Sequence, residues 1–216
     1  MALATVIFGL FAYSAFIQKR ASQIVADLGA MSTADDPNAS FESLKRQYGS
    51  NLKRSEWCSS KRCEYEVSVN NRMLAALHVA PYAEMSTVFF IDNGSFSGAI
   101  TNYTVTRRDG VGIFVHVQED YCRQNCSASD WLAVNPHGHR STDFSNGMVE
   151  FNGSATAEQR QASHSFNFRC FSPLSHCKDI VDLLPAIWER NPDGSMRCRF
   201  RTSGDAYNDW EPAKQN

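Results

Sequence analysis

The sequence predicts an α+β fold: an antiparallel β-meander with a few short helices packed on it, preceded by an N-terminal membrane-anchor helix. Three observations predict it. Ala2–Ile17 is apolar and carries no charge. The stretch from Ser86 to Glu119 alternates apolar and polar residues around two turn signals. Short blocks of helical periodicity flank it on both sides. Runs of antiparallel strands with helices gathered around them belong to α+β rather than to a βαβ repeat.

The opening run, "MALATVIFGLFAYSAFIQKR", covers roughly 24 Å as a helix from Ala2 to Ile17, slightly less than a hydrocarbon core. A cleavable signal peptide has basic residues ahead of its apolar run and small residues before the cut. Nothing basic precedes this run, and Tyr13-Ser14-Ala15 is a poor cleavage site. Residues 1–20 are therefore expected to form an uncleaved transmembrane or signal-anchor helix, with the membrane as partner. The abrupt apolar start leads to a further expectation, that the natural start lies upstream and carries basic residues. Residues 21–40 read as a helical extension and linker, with Ile24, Val25, Leu28 and Met31 along one side until "ADDPNAS" breaks the helix.

A single extracytoplasmic domain is expected over 41–208, followed by a loose tail at 209–216. "SFESLKRQYG" is a short amphipathic helix: Phe41, Leu44 and Tyr48 share a face, Ser40 can cap it, and Gly49 can close it. "CEYEVSVNN" puts Tyr65, Val67 and Val69 on one side of a half-buried strand. "NRMLAALHVAPYAE" fits either a helical turn or an edge segment. Asp92-Asn93-Gly94 and Asp109-Gly110 then mark the two reversals of a three-stranded meander. Further on, Thr156 and Gln159 fit a capping box at the head of "TAEQRQAS". "SFNFRCF" returns to strand alternation. "SHCKDIVDLLPAIWER" reads as an amphipathic helix that ends near Leu184, because Pro185 has no N–H and clashes with the preceding turn. "NPDG" leads into a last strand, Ser195–Thr202.

Composition narrows the function. Of 216 residues, 43% are apolar and 20% charged, as in a globular body, and the formal net charge of -2 provides no field to draw nucleic acid. No nucleic-acid partner and no cofactor are expected. Six of the seven cysteines fall into close pairs, Cys58/Cys63, Cys122/Cys126 and Cys170/Cys177. Such spacings close small loops as disulfides in an oxidising compartment. The seventh, Cys198, alternates with Met196 and Phe200 and reads as a buried free thiol. Lys19 and Arg20 would hold their side of the membrane in the cytosol. Three agreeing cysteine pairs outweigh them, so the body is placed on the periplasmic or cell-surface side.

The stretch most like chemistry is "CRQNCSASDWLAVNPHGHR", at 122–140. Cys122, Cys126, His137 and His139 offer two sulfurs and two nitrogens, a set that zinc accepts. A catalytic version uses His137, His139 and Asp143 and leaves one position for water. The H-x-H spacing is unusual for zinc, and Pro136 and Gly138 favour a loop. In an oxidising compartment the thiols are lost to a Cys122–Cys126 clip. The clip is the reading adopted here.

The other candidates are weaker. "CFSPLSHC" is a structural staple rather than a redox pair, which is usually C-x-x-C. Arg197, Arg199 and Arg201, with Arg169 on a neighbouring strand, form a basic stripe that could take an anionic glycan or lipid headgroup, though such stripes are more often solvated. Asn38, Asn93, Asn102, Asn125 and Asn152 are glycan sequons if the host glycosylates. There is no G-x-S-x-G, P-loop, G-x-G-x-x-G or H-E-x-x-H. The carboxylates Glu64/Glu66 and Asp179/Asp182 show no acid–base pairing. The function expected is that of a membrane-anchored, disulfide-stapled, non-catalytic interaction or envelope-associated module. The alternative is a metal-dependent hydrolase built on the Cys122/Cys126/His137/His139/Asp143 region.

Overall fold

The computed structural model describes residues 2–32, 34, 36–59, 61–107, 109–120, 134–140, 144–152, 155–192 and 196–199. Helix α1 (Ala2–Ser32) runs unbroken through the opening run and its extension. From Ile17 onward a stripe of Ile17, Ala21, Ile24, Val25, Leu28 and Met31 is buried, the spacing of a helix seated on a core. Ahead of Tyr13, which packs on the core, and Ser14, which is buried, the helix stands clear of the body, with Val6, Ile7, Phe8 and Phe11 exposed. The expected transmembrane span is corrected here: among the described residues no helix is long and apolar enough to cross a membrane. The uncharged run stops at Gln18. Lys19 and Arg20 interrupt it just where the helix begins to pack on the sheet.

Helix α2 (Pro37–Tyr48) begins three residues ahead of the Ser40 start read from sequence. Pro37 takes the first helical position, where its missing N–H is no loss, and the Asp36 carboxylate accepts from the Asn38 and Ala39 N–H groups. Gly49 closes the helix at φ +50°, donating its N–H to the Lys45 carbonyl. The Tyr48 hydroxyl donates to Asp27 at 2.8 Å and ties α2 to α1.

The sheet has seven strands: β1 (Lys53–Arg54), β2 (Arg62–Asn70), β3 (Tyr82–Asp92), β4 (Ser95–Thr106), β5 (Gly112–Asp120), β6 (Val134–Arg140) and β7 (Phe144–Asn152). Their order is β1-β2-β3-β4-β5-β7-β6. The β3–β4–β5 meander forms as expected. Asn93 and Gly94 alone join β3 to β4, both at positive φ (51° and 78°), the conformation that matches a hairpin to strand twist. The sheet is mixed rather than antiparallel throughout, because β7 pairs with β5 in parallel, Val115 opposite Gly147. β6 takes the outer edge and pairs back onto β7, so β7 enters the slot beside β5 running in the same direction. The loop expected around Pro136 and Gly138 is thus an edge strand, where a proline is tolerated.

One face of the sheet carries the core: Val67 and Val69, Met85 and Phe89, Tyr103 and Val105, Val115 and Val117, Val149 and Phe151. Between β2 and β3 sits α3 (Arg72–Ala76). Helix α4 (Ala157–Ser163) carries the predicted Thr156–Gln159 capping box. Two readings of the last third are corrected. "SFNFRCF" forms no strand: Phe168–Phe171 is a 3-10 turn. Asn167 holds it there, accepting from the Arg169 N–H and donating to the Asp182 carbonyl. Phe166, Phe168 and Phe171 close around the Tyr103 ring. The long amphipathic helix reduces to α5 (Ile180–Leu183), which stops at Leu184 before Pro185. The chain then forms a separate hairpin of β8 (Trp188–Arg190) and β9 (Met196–Cys198), shorter than the strand expected at Ser195–Thr202, with Cys198 opposite Trp188.

Candidate functional site

Only some of the residues singled out by sequence fall among the described residues. His137 and His139 occupy alternate positions of the edge strand β6, opposite Met148 and Asn146. Cys122, Cys126, Asp143, Arg201 and the tail at 209–216 lie outside the described residues. Among the described residues no group of three His, Cys, Asp or Glu could hold a metal ion. Of the basic residues, Arg169 belongs to the 3-10 turn rather than to a strand, Arg197 lies in β9, and Arg199 follows it, 3.8 Å from Glu189.

Among the described residues two cysteine pairs are joined. Cys58–Cys63 closes the turn into β2, and Cys170–Cys177 closes a loop between the 3-10 turn and α5.

Two polar clusters went unread in the sequence. Glu119, 1% exposed at the end of β5, pairs with Arg160 of α4 at 2.7 Å, and His164 lies 3.6 Å from its other oxygen. Burial, reinforced by the Arg160 charge, pushes the His164 imidazole down to about 4. The parity of "VHVQED" carried a signal, since Glu119 follows Val115 and Val117 on the buried face. The second cluster centres on Asp179, also 1% exposed. It accepts from Ser145 Oγ (2.5 Å) and the Ile180 N–H (2.8 Å), with Arg190 at 3.4 Å. Asp182 accepts in turn from the Asp179 N–H, so the two acids form a capping box. Both clusters join helices to the sheet.

What the body leaves uncovered is the start of α1, residues 4–12. Val6, Ile7 and Phe8 are 58%, 46% and 75% exposed. Three successive helical residues point to most of the circumference, so this arm is apolar on all sides rather than along one stripe. It leaves the body at a built junction. Gln18 Nε2 donates to Ser172 Oγ at 2.8 Å and to Ser14 Oγ at 2.9 Å, and Ser14 Oγ donates to the Phe171 carbonyl at 3.5 Å. The disulfide loop therefore lies against the root of the arm. At its tip Leu174 is 72% exposed, and Met73 and Leu77, on α3 and just after it, are exposed nearby.

No family model matches the chain, and no curated protein or solved structure matches it.

Proposed function

We propose that the chain is a membrane-anchored module whose α1 arm enters the bilayer and whose disulfide-stapled body works on the extracytoplasmic side by interaction rather than catalysis. The arm is the observation that carries this reading. A helix that is apolar all round needs an apolar host on every side. A groove on a partner protein would ask for only one apolar stripe. The arm residues 4–12 reach roughly 14 Å at helical rise, a depth that enters the hydrocarbon without crossing it. The two disulfides support the compartment, since reducing cytosol would keep those cysteines as thiols.

The test is fractionation of the full chain from its native host. The protein is expected in the membrane pellet after an alkaline carbonate wash. Ile7→Asp with Phe11→Asp, both on exposed positions, should move it to the supernatant without altering its melting curve. A wild-type chain found in the supernatant would overturn the reading. Thiol labelling before reduction tests the compartment: Cys58, Cys63, Cys170 and Cys177 should remain unlabelled, and labelling of all four places the body in a reducing environment instead.

A further inference from the structure

The end of the body from which the arm emerges presents apolar residues in an unfavourable backbone state. Leu174 has φ +61°, a conformation that a bulky side chain rarely adopts and that persists only where surroundings impose it. Here they do. The Cys170–Cys177 disulfide closes the loop. The Leu174 N–H donates to the Val79 carbonyl at 3.2 Å, and Ser175 Oγ donates to the Cys170 carbonyl at 3.1 Å. His78, just ahead of Val79, is itself at φ +55°. Asn71 Nδ2 donates to the Pro81 carbonyl and to the same Phe171 carbonyl that Ser14 of the arm contacts. The loop, the α3 segment and the root of the arm are thus tied at one point, and the strain holds Leu174 outward.

The charges around this end are mainly positive. Arg107 and Lys178 line a cavity of about 340 Å³ beside Leu174, shared with Pro81 and His176. Arg72 is exposed at the head of α3, and Lys19 on α1 just past the arm. Three acids are close by: Asp109, which lines the same cavity and is ion-paired with Arg107; Asp182, which lines the adjoining cavity with Leu174 and accepts from the Lys178 N–H; and Glu84, which accepts from the Tyr82 hydroxyl.

We infer that this end of the body is a lipid-contacting surface, with Leu174, Leu77 and Met73 entering the membrane interface and Arg72, Arg107 and Lys178 meeting anionic lipid headgroups. The inference rests on the reading of the arm as bilayer-embedded and adds where the body sits and which lipids it prefers. Apolar tips rimmed by basic residues are what an anionic interface retains. Arg107 already has Asp109 as its partner, and an apolar protein surface would leave Arg72 and Lys178 to be paired.

The experiment is hydrogen–deuterium exchange on the full chain, reconstituted in vesicles of phosphatidylcholine alone or mixed with phosphatidylglycerol, and in a neutral detergent micelle. Exchange at 73–79 and 172–178 is expected to slow in the mixed vesicles relative to both other hosts, with the arm protected in all three. Leu174→Asn, which tolerates positive φ, should abolish that slowing. Lys178→Gln should remove about fivefold of it, the contribution of one basic charge near such a surface. A protected arm with unchanged exchange at both segments overturns the inference and leaves the arm reading standing. Equal protection in detergent, with a dimer by mass, means that a second copy covers this end and also overturns it. An arm that exchanges freely in vesicles overturns both.

Discussion

Acidification should weaken this fold through His164, and by a predictable amount. The side chain is 9% exposed and lies between Glu119 and the edge-to-face ring of Phe151. Its pKa falls from 6.5 to about 4 in the folded chain because burial and Arg160 disfavour the imidazolium. The unfolded chain therefore binds a proton below pH 6.5 that the folded chain refuses until about pH 4. Stability is unaffected above that window, declines as pH falls through it, and loses nothing further below it. About two and a half pH units correspond to roughly 3 kcal/mol. Carboxylates titrate over the same range, so the measurement must be differential. Urea unfolding of the wild type and of His164→Gln should be compared between pH 7 and pH 4. The variant removes the proton-binding group and adds a constant offset for the lost ring contact. Relative to it, the wild type should lose about 3 kcal/mol over the window. A difference that stays flat would refute the burial argument. It would mean that the Glu119 carboxylate, 3.6 Å away, stabilises the charged ring as much as burial penalises it.

Two further outcomes follow from packing. A Cβ at Gly147 would stand 2.7 Å from Trp188 Cη2 and 3.1 Å from Ile180 Cδ1, and both residues are buried. Gly147→Ala should therefore cost about 1–3 kcal/mol, and Trp188→Phe in the same chain should recover part of it in denaturant unfolding. Replacing both Cys170 and Cys177 by Ser opens a loop of eight residues. It should lower stability by about 2–3 kcal/mol on the chain-entropy scale, with an unchanged melting curve as the contrary result.

Local chemistry is what could be read ahead of the structure. The Asn93-Gly94 hairpin, the Thr156 capping box, the Gly49 stop and the halt before Pro185 each depend on a few adjacent residues, and each formed. The failures depend on distant partners. "SFNFRCF" has strand periodicity, but Asn167 hydrogen-bonds Asp182 and Leu183 across the chain and wins. The parallel β5–β7 pair is set by where β6 lies, which no window around β7 contains. Glu119 could be placed on the core face by parity, yet its partner Arg160 is 41 residues on. The exposed Leu174 was equally hidden. "CFSPLSHC" reads as a staple whether its tip is buried or exposed, and only the structure shows Leu174 exposed at positive φ beside the root of α1.

The division within α1 bears on the proposal that the chain serves two environments. Its second half lays six apolar residues into the core, so the body has its own reason to fold. The turns ahead of Tyr13 add no buried residue to that core, and each large apolar side chain left in water forgoes about 1.5–3 kcal/mol of burial. With five such residues exposed between Val6 and Phe16, a host that covered them would gain on the order of 10 kcal/mol before ordering costs. That is comparable to the whole stability of an ordinary domain. The junction is placed accordingly. Ser14 and Gln18 bond to the 3-10 turn and its following serine, and Lys19 supplies the first charge one residue later. A helix meant only to brace the sheet has no use for the apolar turns ahead of Ser14. A helix meant only to anchor has no use for the stripe behind Ile17.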